Sequence, residues 1–233
     1  MKNRNSFTIV IPFYNEEENL PILFEKISYF LKKNTNSVYF MLVNDCSTDN
    51  GKNIIRTLIG KEKKIKLVNL NKRSGQAGCF NTAFRLLKTD FFLRMDADLQ
   101  DDVNDLEKIM KKLIDGKDFV IGLRESRQHN LILIFITKVY DILIKFFFKF
   151  ESKSMSSSML GVHKNFISNL TLRNNDHRFL PLIFTKRGAS ISTVSVNHSR
   201  RIRGKSKYRI STKLFFGVFE LIRFLYRLYK GVY

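Results

Sequence analysis

Apolar and polar positions alternate along the first half of the chain with two different periods. Five short runs rich in apolar and β-branched residues, typical of buried strands, cover positions 7–13, 38–43, 65–70, 91–95 and 119–123. Between them, apolar residues recur every three or four positions, which predicts helices. Those residues are Leu20, Leu23, Ile27 and Phe30, and later Leu106, Ile109 and Leu113. This order predicts the α/β class, a mostly parallel sheet with helices on both faces.

Each of four predicted strands is followed by a polar loop. In chain order, the loops read PFYNEEEN, NDCSTDNG, NKRSGQAG and DADLQDD. Because parallel strands end at one edge of a sheet, where open α/β sheets bind ligands, the loops predict a single site. Each loop also has a structural alternative. Ser47, Thr48 and Asp49 suit a helix cap, and Gly75 and Gly78 suit a turn or close packing.

The acidic loop at positions 96–102 carries the most specific chemistry. In an extended segment alternate side chains share a face, so Asp96, Asp98 and Gln100 can present three oxygen donors together. Such donors suit a hard divalent cation, which commonly takes further ligands from water and substrate phosphates. The loop therefore predicts a metal site that serves a diphosphate. The alternative is a strand end and a helix start, where Asp101 and Asp102 favour the helix dipole.

Composition and charge narrow the class of protein. With 233 residues, 44% of them hydrophobic, and only 3 Pro, the chain is long and apolar enough for one globular core, and it is neither disordered nor fibrous. The formal net charge of +20 predicts an anionic partner: nucleic acid, an acidic membrane or a phosphorylated substrate. Between Lys186 and Lys230 there are twelve Lys or Arg and one acid. The alternative explanation of the lysine excess is a genome-wide compositional bias, which would also produce the abundant Asn, Ile and Phe.

Two later segments predict amphipathic helices. In residues 131–150, fifteen of twenty residues are apolar, but the charged residues recur three or four apart and form one polar stripe. The segment 213–230 repeats the pattern. Such helices lie in a membrane interface or pack on the core, and their basic residues favour anionic lipid. The charged stripe of the first helix consists of Lys138, Asp141, Lys145 and Lys149. The polar side of the second helix carries Lys213, Glu220, Arg223, Arg227 and Lys230. Its apolar side carries Phe215, Val218, Phe219, Ile222 and Leu225.

The cellular setting follows from the cysteines and the N-terminal residues. Cys46 and Cys79 are isolated and have no metal-type spacing with the four histidines, which favours a reduced, cytosolic environment. The first residues lack the apolar core and cleavage site of a signal peptide. Together with the amphipathic helices, this predicts a peripheral or monotopic protein on the cytoplasmic face of a membrane.

The segments 12–20, 43–51 and 96–102, taken in this order and spacing, resemble the family 2 glycosyltransferases and the nucleotide-binding half of their GT-A fold. HRFLP at 177–181 and VNHSRRIRGKSKY at 196–208 resemble the branch that makes polyprenyl-phosphate sugars, the dolichyl-phosphate mannose synthases and undecaprenyl-phosphate glycosyltransferases. The resemblance covers nearly the whole chain. It implies one GT-A domain at 1–210, with a nucleotide-sugar half at 1–125, an interface helix at 126–150 and an acceptor half with a basic loop at 151–210, followed by a membrane-associated helix at 211–233.

The resemblance also implies a role for individual residues, with a nucleotide-sugar donor, a polyprenyl-phosphate acceptor and Mg²⁺ or Mn²⁺. Asp96 would approach the ribose and the metal, Asp98 would be the direct ligand, and Gln100 would assist. Arg124 would grip the lipid phosphate. The nucleotide-sugar site would include Pro12, Tyr14, Glu16, Asp45, Asp49, Gly75 and Gln76, and the loop closing over the phosphates would include Arg201, Ser206 and Lys207, with Arg200 and Arg203 as neighbours that can substitute.

The chain departs from the family pattern at three places. Asn44 stands where relatives carry an acid beside Asp45, which alters one nucleoside contact. On the predicted interface helix, Leu133 and Thr137 stand where close relatives carry an arginine and a serine. Three serines at 156–158 occupy a stretch where relatives often have a charged or glycine-containing motif. The acceptor side therefore matches its relatives least well.

The sequence thus predicts inverting transfer of a hexose from a UDP- or GDP-sugar to a membrane polyprenyl phosphate, for cell-envelope glycan synthesis. A phosphate monoester is already an anion at neutral pH, so no strong general base is needed. The main alternative transfers the sugar to a hydroxyl of a polysaccharide or glycolipid and needs a base, for which Asp176 is the candidate. The acidic loop argues against a nucleic-acid-binding module because it repels a phosphate backbone, and the intact acids argue against an inactive nucleotide-sugar binder.

Overall fold

The computed structural model describes residues 5–60, 62–124, 157–173, 175–199 and 210–233. Seven strands form one sheet in the order β3-β2-β1-β4-β6-β5-β7. The strands are β1 (Ser6–Phe13), β2 (Ser37–Asn44), β3 (Ile65–Asn69), β4 (Phe91–Arg94), β5 (Phe119–Arg124), β6 (Leu160–His163) and β7 (Ile191–Val196). The α-helices within the described residues are α1 (Leu20–Lys33), α2 (Gly51–Ile59), α3 (Gly75–Leu86), α4 (Leu106–Ile114), α5 (Leu180–Lys186) and α6 (Ile210–Tyr229).

The sheet is mostly parallel, which confirms the predicted class. β1 runs parallel to both β2 and β4, and β2 is parallel to β3, as β5 is to β7. β6 is antiparallel to its two neighbours, β4 and β5. All five predicted strands are present, whereas β6 and β7 were not predicted. β6 has only 4 residues, and in β7 serine and threonine interrupt the apolar residues, so neither strand forms an apolar run.

Helices cover both faces of the sheet, because side chains of a strand alternate between faces. Along β1, Ile9 and Ile11 pack in one cluster with residues of α1, α2 and α4. Val10, between them, packs in a second cluster with residues of α3, α5 and α6. The predicted helix positions are buried as expected: Leu20, Leu23, Ile27, Phe30, Leu106, Ile109 and Leu113.

The C-terminal helix α6 is present, but the predicted division of its faces is wrong at Ile222. Leu221, Phe224 and Leu228 are the buried residues, and Phe224 stacks on Phe179 at 4.4 Å between ring centroids. Ile222, placed on the apolar side by the sequence, is 58% exposed. The helix is apolar around most of its circumference, so spacing alone could not identify the face that packs on the core.

No helix among the described residues is long and apolar enough to cross a membrane. The interface helix predicted at 131–150, with Leu133 and Thr137, lies outside the described residues.

Candidate functional site

The site lies where the strand order reverses. β1 pairs with β2 on one side and with β4 on the other, so the loops after β1 and β4 flank a crevice at the carboxyl edge of the sheet. Pro12 is buried in β1 close to this point. The last backbone hydrogen bond between β1 and the β4 side runs from Met95 N to the Val10 carbonyl, at 3.2 Å. Pro12 lies beyond this bond, so its missing N–H removes no hydrogen bond between the two strands.

Hydrogen bonds connect the loop after β1 to the loop after β2. The side chain of Asn15 donates to Thr48 Oγ1 at 3.0 Å and accepts from Thr48 N at 2.9 Å. The carboxylate of Asp49 accepts from Glu17 N at 2.9 Å and from Gly51 N at 3.0 Å. Asp49, predicted as a nucleoside contact, therefore joins the two loops and supports the first turn of α2.

Asp45 joins the loops after β2 and β3. Its buried carboxylate accepts hydrogen bonds from Ser74 N at 2.6 Å and from Gly75 N at 3.0 and 3.1 Å. Gly75 has φ +67, a conformation that favours glycine. Asn44 beside Asp45 is also buried: its amide bonds Asn69 at 3.0 Å and Ser47 N at 2.9 Å. The amide that replaces a family acid thus holds the ends of β2 and β3 together.

Two further predicted nucleoside residues border this edge. The ring of half-buried Tyr14 lies under the guanidinium of Arg73, 3.8 Å from ring centroid to Cζ, in a cation–π contact. Glu16 accepts a hydrogen bond from the Asn19 amide at 2.6 Å. The sequence prediction did not include Arg73. Arg73 could have been found from the sequence, because it is a basic residue directly before the Ser-Gly turn of a predicted site loop.

The acidic loop shows the predicted alternation of exposure. Asp96, Asp98 and Gln100 are half-buried, whereas the residues between them are buried. Leu99, 4% exposed, has φ +62, an uncommon conformation for a residue with a branched side chain. Gln76 at the start of α3 donates to Asp96 Oδ1 at 3.4 Å, and Asp98 Oδ1 accepts from Gln100 N at 3.3 Å. The loops after β3 and β4 therefore meet at Gln76 and Asp96.

The end of β7 lies against the same acidic loop. His198 and Asp101 form an antiparallel β-bridge, and Nδ1 of His198 lies 3.1 Å from Asp101 Oδ1. Ser199 N donates to the carbonyl of Gln100 at 2.8 Å, and the Gln100 amide donates back to the Ser199 carbonyl at 3.2 Å. The basic sequence that follows Ser199 therefore begins beside the predicted metal ligands.

Arg94 is a buried cation that the sequence prediction missed, because it reads as one residue of a strand. It is 7% exposed, and its guanidinium donates to the carbonyls of Ser158 and His177, each at 3.1 Å. Both carbonyls belong to segments that the sequence assigned to the acceptor half. Arg94, two residues before Asp96, therefore ties the strand of the acidic loop to that half.

Asp176, the candidate base for a hydroxyl acceptor, is 1% exposed and carries structural contacts. It accepts hydrogen bonds from the Arg227 guanidinium and the Tyr233 hydroxyl, and its Oδ2 accepts from Arg173 N at 2.8 Å. Burial, followed by the bond to Asp176, raises the pKa of Tyr233 to about 12. A carboxylate buried among these donors is poorly placed to take a proton from an acceptor sugar.

Several predicted site residues cannot be placed. Arg124 ends β5, but its side chain lies outside the described residues. The predicted phosphate loop, with Arg201, Ser206, Lys207, Arg200 and Arg203, lies outside them altogether. Of the serines at 156–158, the structure describes the last two, and both are buried. Among the described residues, no three His, Cys, Asp or Glu side chains converge in a group that could hold a metal ion.

The model of the family described as glycosyl transferase family 2 matches residues 8–170. The chain belongs to glycosyltransferase family 2. This confirms the family recognised from the three loops. The match includes the carboxyl edge of β1 to β4 and the acidic loop, whereas Asp176, His198 and Ser199 lie beyond it.

Curated relatives of this family 2 protein act on lipid phosphates according to their names. It is similar to an undecaprenyl-phosphate 4-deoxy-4-formamido-L-arabinose transferase of Yersinia enterocolitica, with 29% identity over 219 residues, which cover 92% of this chain and 66% of the relative. A protein of the same name from Photorhabdus laumondii is 29% identical over 205 residues, 86% of this chain and 62% of the relative. The chain thus spans about two thirds of the length of these relatives.

Solved structures share the GT-A fold of this family 2 protein. A mannosyltransferase of Pyrobaculum calidifontis, in complex with GDP-Man and Mn²⁺, matches with TM-score 0.63 and 16% identity over 88% of this chain and 59% of that chain. A glucosyl-3-phosphoglycerate synthase of Mycobacterium tuberculosis, in complex with Mn²⁺ and UDP, matches with TM-score 0.67 and 15% identity over 87% and 73%. The predicted GT-A fold is confirmed, and both neighbours were solved with Mn²⁺.

Proposed function

We propose that this chain transfers a sugar from a nucleoside diphosphate sugar directly to the phosphate of a membrane polyprenyl phosphate, inverting the anomeric carbon. The observation that carries the proposal is the contact of 3.4 Å between the Gln76 amide nitrogen and Asp96 Oδ1. It lies beside the first turn of α3, whose Gly75 N–H is bound by Asp45. A diphosphate at this edge would meet groups from the loops after β2, β3 and β4 together. The undecaprenyl-phosphate relatives support the choice of acceptor.

The residues present fit a hard divalent cation. Two carboxylates and one amide oxygen, from Asp96, Asp98 and Gln100, alternate with buried residues in a loop fixed by backbone contacts. When bound, Mg²⁺ or Mn²⁺ would neutralise charge on the leaving nucleoside diphosphate. The protein residues would hold the loop in one geometry, with Asp98 as the proposed direct ligand. Such pre-organisation avoids rearrangement during the reaction.

The state of Asp176 supports a phosphate acceptor over a hydroxyl. A phosphate monoester needs no strong base, because its second pKa is about 6. A hydroxyl needs one, and the acid proposed for that role is buried against Arg227 and Tyr233. We retain a hexose and a UDP or GDP carrier as the proposed donor, although the relatives are named for a modified arabinose.

A surface of α6 supports contact with anionic lipid. Ile222, Tyr226 and Tyr229 are 58%, 63% and 87% exposed at helical spacing, and the Lys230 ammonium lies 5.8 Å from the Tyr226 ring centroid. Aromatic rings beside basic side chains suit the membrane interface. This surface supports the proposal of a peripheral or monotopic protein, and the cytoplasmic face and a role in cell-envelope glycan synthesis are part of the same proposal.

The test is transfer of radiolabelled sugar by purified protein to undecaprenyl phosphate, with a panel of UDP- and GDP-linked hexoses and pentoses, with and without Mn²⁺ or Mg²⁺. We expect metal-dependent label in the organic extract. Asp98→Asn should lower the rate by about 100-fold or more. Asp102→Asn is the matched control: it lies in the same loop, and Asn can still cap Asn104 N, which Asp102 does at 3.0 Å.

Two outcomes would overturn the proposal. Label that stays in the aqueous phase as an oligosaccharide would identify a hydroxyl acceptor. Full activity of Asp98→Asn would exclude the acidic loop as the metal site.

A further inference from the structure

Gln100 is held by Ser199, in the segment after β7, as well as by its own loop. Its side-chain amide contacts the Ser199 carbonyl at 3.2 Å, and its backbone carbonyl accepts from Ser199 N at 2.8 Å. A carbonyl oxygen only accepts hydrogen bonds, so the NH₂ end of the amide must face Ser199. Oε1 is therefore the end of the amide that a cation can use.

Asp101, the next residue, supports the same junction from a buried position. It is 4% exposed, and its Oδ1 lies 3.1 Å from Nδ1 of His198. Its Oδ2 is buried and has no hydrogen-bond partner within the described part of the chain. A buried carboxylate is costly without partners, and His198 is the partner that Oδ1 of Asp101 has. The side chain of His198 is itself only 18% exposed.

We propose that Asp101 and His198 are positioning residues that orient Gln100 toward the cation. The pair fixes the segment after β7 beside the loop, that segment places the Ser199 carbonyl, and the carbonyl orients the Gln100 amide. Partners behind a metal ligand commonly tune affinity in this way, although they do not touch the metal. The inference rests on the proposed function, because it assumes a cation at Asp96, Asp98 and Gln100.

The experiment titrates Mn²⁺ alone into the full chain and measures free Mn²⁺ by electron paramagnetic resonance, so that it does not depend on sugar transfer. We expect His198→Ala to weaken Mn²⁺ binding about ten-fold. His198→Gln should restore part of the affinity, because its amide can still donate to Asp101. Asp101→Asn, which keeps an acceptor of the same shape, should lie between wild type and His198→Ala.

His163→Ala is the matched control for lost stability. His163 is the last residue of β6, and its Nδ1 accepts from Asn165 N at 3.3 Å, but it pairs with Phe91 at the end of β4 opposite the acidic loop. We expect this variant to bind Mn²⁺ like wild type even if it unfolds at a lower temperature. If His198→Ala does not fold, the intermediate affinity expected of His198→Gln and Asp101→Asn decides the question.

A double-mutant cycle with Gln100→Ala tests whether His198 acts through Gln100. The inference requires that His198→Ala has little further effect once Gln100 is alanine. An undiminished effect in that background, or wild-type affinity of folded His198→Ala, would overturn the inference. Asp98→Asn separates the two proposals, since unchanged Mn²⁺ affinity in that variant would instead refute the proposed cation site.

Discussion

The carboxylate of Asp45 accepts a hydrogen bond from the backbone N–H of Gly75 at 3.0 Å, across the loops after β2 and β3. The contact fixes the first turn of α3, whose next residue, Gln76, reaches Asp96. Hydrogen bonds to an ionised acceptor are roughly twice as strong as neutral ones. One buried carboxylate therefore helps to set the distance between the proposed nucleoside side and the proposed metal side of the site.

Replacing Asp45 with alanine should disturb donor binding more than it disturbs the fold. The change leaves two backbone N–H groups, of Ser74 and Gly75, without their charged acceptor, at a cost of about 1–3 kcal/mol. We expect the free energy of unfolding to fall by this amount and the KM for the nucleotide sugar to rise about ten-fold or more. Urea denaturation and steady-state kinetics measure the two effects.

Asp118→Ala is the matched control for Asp45→Ala. Asp118 also bonds a backbone N–H and a serine hydroxyl, both of Ser190, at 2.9 and 2.7 Å, but it precedes β5 away from the crevice. It should lower stability without changing the KM. An equal rise in KM for both variants would mean that Asp45 acts only through global stability.

The placement of the four loops in the proposed donor half could be predicted because their signals are local. β1, β2, β3 and β4 are apolar runs, and each is followed at once by the loop that carries the chemistry. Parallel pairing then brings the loops to one edge without further information. The same reasoning placed Asp45 and Asp96 near each other, and Gln76 does connect the start of α3 to Asp96.

The other contacts depend on pairings between residues distant in the sequence. β6 pairs antiparallel with both β4 and β5 and so lies between them, and its four residues carry no pattern of their own. Asp176 reads as a loop acid, yet it meets Arg227 on a helix 51 residues later. Arg94 reads as a polar residue in a strand, and only the fold shows which carbonyls it bonds. No local period encodes such contacts.

Asp90 gives the stability of the protein a dependence on pH. Hydrogen bonds from the Ser6 hydroxyl, and secondarily from Lys164, hold the pKa of Asp90 below its ordinary value. The folded pKa lies below the unfolded one, so the stabilisation is complete above about pH 4 and is lost as the pH falls through the folded pKa. Ser6→Ala should therefore lower the free energy of unfolding at pH 6 more than at pH 3.

Lys164→Ala provides the comparison for Asp90. Its ammonium lies 3.1 Å from Asp90 and is the lesser cause of the lowered pKa. This variant should keep most of the pH dependence that Ser6→Ala removes. If Lys164→Ala abolishes the dependence while Ser6→Ala leaves it intact, the ion pair and not the hydroxyl is responsible.

The two cysteines should differ in reactivity. Cys79 in α3 is fully buried, and burial raises the pKa of its thiol to about 12, so very little thiolate forms at neutral pH. Cys46 is partly exposed in the loop after β2. We expect iodoacetamide at pH 8 to modify Cys46 alone in the folded protein and both cysteines in guanidinium, as measured by mass spectrometry. Equal modification rates in the folded protein would contradict the packing of α3.

The Asp176–Arg227 ion pair should determine how firmly α6 is held. Removing one partner of a buried pair costs about 3–5 kcal/mol, but the side chain of Arg227 is 22% exposed, so we expect about 2–3 kcal/mol for Arg227→Met. Amide hydrogen exchange should then accelerate in α6 first, because the variant removes the ion pair that helps to hold the helix, with Leu221 and Phe224, on the core.

Two further variants test this role of Arg227. Lys230→Met, at the exposed residue directly after the same helix, should change stability by less than about 0.5 kcal/mol. Asp176→Asn combined with Arg227→Met should be more stable than Arg227→Met alone, because the double variant no longer buries a carboxylate that has lost its cation. If adding Asp176→Asn gives no recovery, the cost of Arg227→Met comes from lost packing of its aliphatic stem, and the ion pair does not hold α6 in place.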